Sequence, residues 1–438
     1  MSAEAVGASR SIERALPDPA RQRTLYRLGV FCGLAAALWL AGAEAPTKLV
    51  TVAVSPVVIS FMMVFGAFVS RWSLPALVHG TADTFRDVRH APHLVLWGVF
   101  AGCLWAIGNT LTIFAVRDIG LSLAFPLWNS NSLIGILWGT LLFRELRGSG
   151  WLRKVGVVGG AAVIFTGAIL ISAASASEAG HGSAMHGIAA ALGAGLMFGS
   201  MYIPYRKAYI TGMNPLTFLT FFTFGEITMM SAVAVAFSGG PGPFWRELSA
   251  SRGVLLWPML GGFMWVVGDL FQNYAAKYVG ISRGIPLSNT NQLWGLLLGL
   301  LVFRELRGLA AGVYAEVIGG SLMMAAGALA ISLCSASEGE YANVRLAARR
   351  EAELYGVDPD YVAARMEGRE TRGDAGGGRT WRDWLVIGWA LGIFAWMGTM
   401  ASVPRMEIEA GWLALFGVAL IGVLAVGALA LWRVTKFS

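Results

Sequence analysis

Long runs of apolar residues recur along this chain and are separated by short polar segments. A helix needs about 20 mostly apolar residues to cross a hydrocarbon layer of about 30 Å. The pattern predicts twelve membrane-spanning helices, at residues 28–47, 50–70, 93–115, 120–143, 152–174, 186–206, 214–237, 254–276, 281–303, 309–333, 384–403 and 411–432. Because the runs are continuous rather than alternating, helices are favoured over strands.

Composition supports a membrane class. Apolar residues make up 56% of the 438 residues, and only 13% are charged. A soluble domain carries about 25% charged residues, so this chain lacks the polar groups that a water-facing surface of this size needs. We therefore predict an all-α polytopic membrane protein.

The basic residues are distributed unevenly between the two predicted sides. With the N-terminus in the cytoplasm, 26 of the 33 Lys and Arg residues fall on the cytoplasmic side, including Arg71 in a predicted loop at 71–92. Cytoplasmic loops characteristically carry this excess. We expect a protein of the cytoplasmic (inner) membrane with both termini inside, whose net charge of +7 reflects topology and anionic lipid rather than a nucleic-acid partner.

An internal repeat organises the first ten spans. Residues 102–148 and 262–308 align without gaps at a shift of 160, with 21 identities in 47 positions, and both copies end in FRELRG. Five spans lie in each copy, and an odd number inverts the second copy in the membrane. Inverted repeats typically place a substrate site near the midplane and support alternating access. For FRELRG itself we expect a structural role at a helix end.

The predicted architecture is a ten-helix 5+5 inverted-repeat core followed by a C-terminal two-helix transmembrane hairpin. The linker before the hairpin contains a surface helix at 340–356, a second helix that Asp358 can cap, and a glycine tether at 376–378. The predicted segments are a cytoplasmic N-terminus (1–27), the first repeat (28–178), the inverted repeat (186–334), a polar cytoplasmic linker (335–383) and the hairpin (384–432).

Two carboxylates fall deep inside predicted spans, where polar groups are costly and therefore informative. Asp269 lies in the eighth span, and its mate in the repeat is Asn109. A carboxylate in one copy and an amide in the other suits an asymmetric site that couples a substrate to protons. Glu226 lies in the middle of the seventh span and is a second candidate for proton coupling. The alternative is a helix–helix hydrogen bond or salt bridge without a role in transport.

A polar cluster follows a proline in each repeat, and its amides can hydrogen-bond substrate hydroxyls. Asn129 and Asn131 point about 200° apart on an ideal helix, so both line one cavity only if the helix is distorted. Indole rings at equivalent positions can stack on a sugar ring, although packing and lipid contact are the alternative roles. The candidate substrate-binding residues are Trp105, Asn109, Asn129, Asn131, Trp265, Gln272, Asn289, Asn291 and Gln292.

Motifs for other chemistries do not occur in the sequence. The five histidines lack a metal-binding spacing such as HExxH, the three cysteines are isolated, and no GxxxxGK[ST] phosphate loop is found. We therefore predict no metal, no cofactor and no enzyme activity.

The repeat motifs resemble a known family. The pattern G-x-x-W-x-x-G-[ND], followed by G-[IL]-S-x-x-x-P-[LI] and N-Q-L-W-G-x-x-x-G-x-x-x-F-x-E, is similar to the glucose/ribose porter branch of the drug/metabolite transporter superfamily, related to rhamnose–proton symporters. The resemblance covers about residues 28–334 and implies a 5+5 fold and proton-coupled uptake of a monosaccharide. Two features depart from the family: the hairpin at 384–432, and Asp269, where the branch commonly has Gln.

The expected partners are a small-molecule substrate, protons and the lipid bilayer, and the sequence leaves the oligomeric state open. One alternative within transport is a carrier or exporter of another metabolite or an amphiphile. A second alternative, from another class, is a membrane sensor or scaffold that uses the linker and the hairpin.

Overall fold

A computed structural model describes residues 19–50, 54–78, 80–143, 150–178, 181–305, 308, 310–334, 338–358, 361–362, 379–403 and 408–437. Within these ranges every regular element is a helix. The helices are α1 (Pro19–Lys48), α2 (Pro56–Val78), α3 (Thr81–His90), α4 (Leu94–Ile119), α5 (Leu121–Trp128), α6 (Asn131–Leu142), α7 (Trp151–Glu178), α8 (His181–Ile210), α9 (Pro215–Phe237), α10 (Pro241–Ala250), α11 (Leu256–Val279), α12 (Ile281–Ser288), α13 (Asn291–Leu297), a π turn (Leu298–Val302), α14 (Ala311–Cys334), α15 (Glu338–Tyr355), α16 (Trp381–Met400) and α17 (Ala410–Thr435).

Nine helices in the described part of the chain are long and apolar enough to cross a membrane: α1, α2, α4, α7, α8, α9, α14, α16 and α17. The chain is therefore a multi-pass membrane protein. Helix α11 has the length of a span, but Asp269, Gln272 and Asn273 lower its hydropathy.

Two of the twelve expected spans are discontinuous rather than single helices. The run at 120–143 forms α5 and α6, and the run at 281–303 forms α12, α13 and the π turn. Each break follows a proline, Pro126 or Pro286, which removes one backbone donor from the helix. The chain then crosses the break through tight i→i+3 hydrogen bonds, such as Ser130 N–H to Leu127 O at 3.2 Å.

Glycines let the long helices cross closely, and they do so in two matching sets. A Cβ on Gly262 of α11 would lie 1.9 Å from the Met63 carbonyl of α2, and a Cβ on Gly102 of α4 would lie 2.0 Å from the Phe222 carbonyl of α9. No side chain fits at these distances, so glycine is required at both crossings.

The crossing of α7 and α14 has the same reciprocal character. Gly160 meets the Gly327 carbonyl, and Gly327 meets the Gly160 carbonyl. Gly167 and Gly320 form a second reciprocal pair. Because Gly160 and Gly320 are mates in the sequence repeat, as are Gly167 and Gly327, each helix presents the same face to the other.

Glu305 of the second FRELRG copy caps another helix, which fits the structural role that we expected for this motif. The Glu305 carboxylate accepts a hydrogen bond from the N–H of Leu121, the first residue of α5, at 3.0 Å. It also pairs with Lys48 Nζ at 3.1 Å. A carboxylate at this position compensates the unpaired N–H groups and the positive dipole of a helix N-terminus. Residues 144–149 of the first copy lie outside the described residues.

The two helices of the expected hairpin pack on different core helices, α16 on α2 and α17 on α1. Asp383, in the first turn of α16, is buried, and it accepts hydrogen bonds from the N–H groups of Thr380 and Thr81 at 2.6 and 2.7 Å. Just after the C-terminal end of α17, the Phe437 carbonyl accepts hydrogen bonds from Tyr274 Oη at 2.8 Å and from Asn214 Nδ2 at 3.0 Å. Both ends are thereby attached to the core.

The linker forms the expected surface helix, α15, which docks on the ends of α4 and α8. Lys207 Nζ donates to Glu351 at 2.7 Å, and the His93 and Tyr355 rings stack at 3.6 Å between centroids. Burial and, to a smaller extent, the charge of Lys207 lower the pKa of His93 against the opposing effect of Glu351. The second predicted linker helix lies mostly, and the glycine tether entirely, outside the described residues.

Candidate functional site

An arginine that we expected in a cytoplasmic loop lies inside the core. Helix α2 does not end at residue 70 but continues to Val78, and Arg71 is only 2% exposed. A buried guanidinium is very costly unless anions neutralise it. Two carboxylates do so here, and we call the cluster of Arg71, Glu226 and Asp269 the charged centre.

Three helices bring the charged centre together. Arg71 of α2 lies with Nη2 2.5 Å from Asp269 Oδ2 of α11, and with Nη1 2.7 Å from Glu226 Oε2 of α9. Both carboxylates are fully buried. The guanidinium carbon also lies 4.4 Å from the centroid of the Phe222 ring, a cation–π contact. The two residues that the sequence predicts to couple protons, Glu226 and Asp269, therefore contact the same guanidinium.

The two carboxylates differ in how fully they are hydrogen-bonded. Besides its bond from Arg71, Asp269 accepts hydrogen bonds at Oδ1 from Tyr205 Oη and from Asn273 Nδ2, both at 3.0 Å. Glu226 has fewer partners: its Oε2 lies 2.7 Å from Arg71 Nη1, and its Oε1 has no hydrogen-bond partner among the described residues. The Arg71 Nε–H is also without a partner. Asp269 is thus the satisfied anion, and Glu226 retains capacity to bind.

The polar residues at the two helix breaks form a second cluster, which we call the amide quartet: Asn129, Asn131, Asn289 and Asn291. Asn129 Nδ2 donates to Asn291 Oδ1 at 2.5 Å, and Asn289 Nδ2 donates to Asn131 Oδ1 at 2.5 Å. The bonds are reciprocal across the repeat, since the first Asn of each copy binds the second Asn of the other. The helix breaks provide the distortion that we required for both asparagines of a copy to face one site.

Two predicted tryptophans meet at the contact between the repeats. The rings of Trp105 and Trp265 lie 5.2 Å apart, and Phe198 stacks on Trp265 at 6.0 Å. Both indole N–H groups are buried without a hydrogen-bond partner among the described residues. Trp265 is four residues before Asp269 and shares its helix face.

The remaining predicted residues are also buried, and each has different hydrogen-bonding surroundings. Asn109 donates to Ser60 Oγ at 2.8 Å, away from the charged centre. Gln272 hydrogen-bonds the Tyr202 hydroxyl beside Asp269. Gln292 Oε1 has no partner in the described part of the chain.

Arg71 and Tyr205 are the residues that the sequence analysis missed. The apolar run ends at its first charge, and this places Arg71 in a predicted loop. The sequence did contain a signal: the segment after Arg71 continues as WSLPALV, which extends the apolar run by seven residues. Tyr205 is an ordinary aromatic residue near a span end, and nothing in its sequence context distinguishes it.

The fold and the buried charges define a polytopic membrane protein with a polar interior. Comparisons with known proteins give its resemblances. The family model described as "Sugar transport protein" matches residues 223–347. The "Putative sugar uptake protein lin0215" of Listeria innocua is 25% identical over 232 residues, covering 51% of this chain and 76% of that protein. The "Glucose uptake protein GlcU" of Staphylococcus xylosus is 24% identical over 239 residues, with 51% and 76% covered.

A solved structure described as "Crystal structure of protein" aligns with 67% of this chain and 95% of that chain, at 15% identity and a TM-score of 0.38. That likeness is too low to identify a fold. The sequence matches are to sugar transport and sugar uptake proteins, and they favour a transporter over an enzyme.

Proposed function

We propose that this chain is a secondary active transporter that moves a monosaccharide across the cytoplasmic membrane by alternating access, coupled to protons. The observation that carries the proposal is the charged centre, a fully buried guanidinium between two buried carboxylates. Support also comes from the relatives named for sugar and glucose uptake. The more specific resemblance to the glucose/ribose porter branch of the drug/metabolite transporter superfamily belongs to this proposal.

Charge balance motivates the proton coupling. One guanidinium cannot neutralise two ionised carboxylates, so the charged centre carries one excess negative charge when both are ionised. An excess charge in a dry interior is costly, and uptake of one proton removes it. Glu226 is the proposed acceptor because its Oε1 has no partner among the described residues, whereas both oxygens of Asp269 are occupied. Asp269 then holds Arg71 in place.

The sugar site is proposed around the amide quartet and the paired tryptophans. Amides bind hydroxyl groups as donor and as acceptor, and an indole face packs against the C–H face of a sugar ring. Trp105, Trp265 and Gln292 each carry a buried polar atom that no described residue satisfies, and a substrate hydroxyl would satisfy it. In the present conformation the amides bind each other, so substrate entry must exchange those bonds.

Alternating access would follow from the repeat. The matched glycine crossings and the reciprocal amide bonds are what two inverted copies would give if each could adopt the other's conformation. The two discontinuous helices place the amides at their breaks, the usual position of substrate sites in such folds. The boundaries at 28–178 and 186–334, an inner-membrane location and cytoplasmic termini are part of this proposal.

Transport into proteoliposomes tests the proposal. Purified protein would be assayed with a panel of labelled hexoses and pentoses, with and without an inward proton gradient. We expect Glu226→Gln to abolish gradient-driven accumulation of the transported sugar while sparing its exchange. Glu44→Gln is the matched control, because Glu44 is equally buried but bonds Thr47 rather than Arg71.

Each other result contradicts a defined part of the proposal. Accumulation that persists in Glu226→Gln would refute the assigned proton acceptor. Sugar flux that ignores the gradient in the unmodified protein would refute coupling. Flux of a different metabolite or an amphiphile would support the alternative carrier, and no flux of any solute would support a sensor or scaffold.

A further inference from the structure

The two helices of the hairpin leave a space between themselves and the core. A cavity of about 730 Å³ lies between α16 and α17 on one side and α2 and α11 on the other. Its walls are formed mainly by aliphatic and aromatic side chains. They include Leu77, Val78, Val267, Phe271, Ala390 and Phe437.

Among the described residues that line the cavity, no side chain offers a free hydrogen-bond donor. Ser70 and Ser73 are the polar residues among those lining the cavity, and both donate to backbone carbonyls: Ser70 to Gly66 at 2.7 Å and Ser73 to Ser70 at 3.0 Å. Water in this space would forgo hydrogen bonds, and an empty space would forgo dispersion contacts. The volume falls in the range of about 300–1,000 Å³ that is usual for ligand pockets. An apolar ligand therefore fits, and a sugar does not.

The rim of the cavity is apolar and exposed, as a surface in contact with membrane hydrocarbon would be. Leu77 of α2 is 47% exposed and Leu391 of α16 is 67% exposed, and both line the cavity. The lining residues of α2 run from Ser70 to Val78, about 12 Å along the helix axis. One leaflet of hydrocarbon is about 15 Å thick, so the cavity matches most of the depth of one leaflet.

Exposed cations stand at the same end as Val78 and Phe437. Helix α16 begins there and α17 ends there, and the exposed basic residues of these ends are Arg379, Arg382, Arg433 and Lys436. Gly80 follows the lining residue Val78 by two positions, and a Cβ placed on Gly80 would lie 3.9 Å from the Cα of Arg379. Arg379 and Lys436 lie over tryptophan rings, at 5.8 and 4.3 Å, an arrangement typical of the headgroup level. This charge is complementary to a lipid phosphate.

We propose that an anionic phospholipid of the membrane occupies this cavity with one acyl chain, and that its phosphate is held at the Arg379–Lys436 end. This acyl chain completes the packing of the hairpin helices on α2. Because Ser70 lines the cavity and Arg71 follows it on the same helix, the lipid also supports the helix that carries the charged centre.

Binding of defined lipids to full-length, delipidated protein in detergent tests the proposal. Phosphatidylglycerol and phosphatidylcholine with the same acyl chains would be compared by native mass spectrometry and by thermal unfolding. We expect retained phosphatidylglycerol and a higher Tm with it than with phosphatidylcholine. Ala390→Trp fills the cavity and should weaken phosphatidylglycerol binding about tenfold or more. Ala395→Trp, on the exposed face of the same helix, should leave binding unchanged.

A second variant keeps the proposal testable if the tryptophan disturbs folding. Arg379→Gln combined with Lys436→Gln changes only exposed side chains and should remove the preference for phosphatidylglycerol. Unchanged phosphatidylglycerol binding by Ala390→Trp would overturn the cavity as the site. Equal binding of the two lipids by the unmodified protein, or a lipid-free dimer in the spectrum, would overturn an anionic lipid as the occupant.

Discussion

Two regions of the core are built on the same helix crossings but carry different side chains. One is the charged centre. The other, which we call the neutral centre, consists of Ser60, Asn109, Thr110 and Met230. Asn109 Nδ2 donates to Ser60 Oγ at 2.8 Å, and Ser60 Oγ lies 3.1 Å from Thr110 Oγ1 and 3.2 Å from Met230 Sδ. The neutral centre contains no charge.

The glycine crossings fix which residues correspond. Gly66 of α2 meets the Met259 carbonyl, and Gly225 of α9 meets the Val99 carbonyl. With these glycines equivalent, Arg71 corresponds to Met230 and Glu226 corresponds to Ala67. Asp269 corresponds to Asn109 through the sequence repeat.

The comparison separates what builds the crossing from what supplies the chemistry. Close approach of the backbones depends on glycine in both halves, so the crossing forms whether or not ions lie beside it. The three charges were placed at positions that tolerate methionine, alanine and asparagine in the other half. A charged cluster is rarely the most stable choice for such positions, and this favours a functional reason for its presence.

Removing the cation should have the largest effect. Arg71→Met places the residue of the neutral centre opposite two buried carboxylates, and it leaves them without a counterion. Breaking a buried ion pair from one side costs about 3–5 kcal/mol. Denaturant unfolding of the purified protein in detergent measures this loss. Met230→Leu, a volume-conserving change at the corresponding position, serves as the control and should cost under about 1.5 kcal/mol. An unchanged unfolding free energy for Arg71→Met would mean that the carboxylates do not depend on Arg71.

Converting the whole charged centre into a copy of the neutral one should restore most of that stability. The triple change Arg71→Met, Glu226→Ala and Asp269→Asn removes both carboxylates with the cation, and apolar replacement of buried ion pairs is often neutral or stabilising. We expect a Tm near that of the unmodified protein and no gradient-driven accumulation. If the triple variant were as unstable as Arg71→Met alone, the two centres would not be interchangeable scaffolds.

The amide quartet should show a smaller and unequal effect in its two halves. Asn291→Ala removes the acceptor of Asn129 Nδ2, and an unsatisfied buried donor costs about 1–3 kcal/mol. Asn131→Ala should cost less, because Asn289 Nδ2 keeps a bond to Ser132 Oγ at 2.5 Å. Thermal unfolding of the two variants in parallel measures the difference. Equal losses would indicate that the Ser132 contact contributes nothing.

The sequence predicted the apolar helices, the two buried carboxylates and the amides of both repeats, because these follow from local pattern and from the repeat, but it did not predict that Arg71 joins the carboxylates. The breaks at Asn129 and Asn289 were anticipated only as a distortion, since the geometry after a proline depends on neighbouring helices. Arg71 was misplaced because the position of a span end in sequence depends on whether the next charge finds a partner. Its partners lie on α9 and α11, at 155 and 198 residues away, and no local pattern encodes that pairing.

The two halves of the core also differ in the contacts that the C-terminal segments make at two equivalent places, the start of α4 and the start of α11. His93, before α4, stacks on Tyr355 of the linker helix. The corresponding Gly253, before α11, accepts a hydrogen bond from the Ser402 N–H of the hairpin at 2.6 Å. The first contact contains a titratable ring and the second does not. Only the first should respond to mild acid.

The direction of that response follows from the lowered pKa of His93. Docking of the linker helix favours the neutral ring, because burial and Lys207 oppose its protonation more than Glu351 favours it. The stabilisation is therefore present above the ordinary histidine value of about 6.5 and is lost as the pH falls below it. We expect hydrogen-exchange protection of α15 to fall by less than about tenfold between about pH 7.5 and pH 5, with protection near Gly253 unchanged. His93→Gln should remove the pH dependence, and a fall in protection that persists in this variant would assign it to another group.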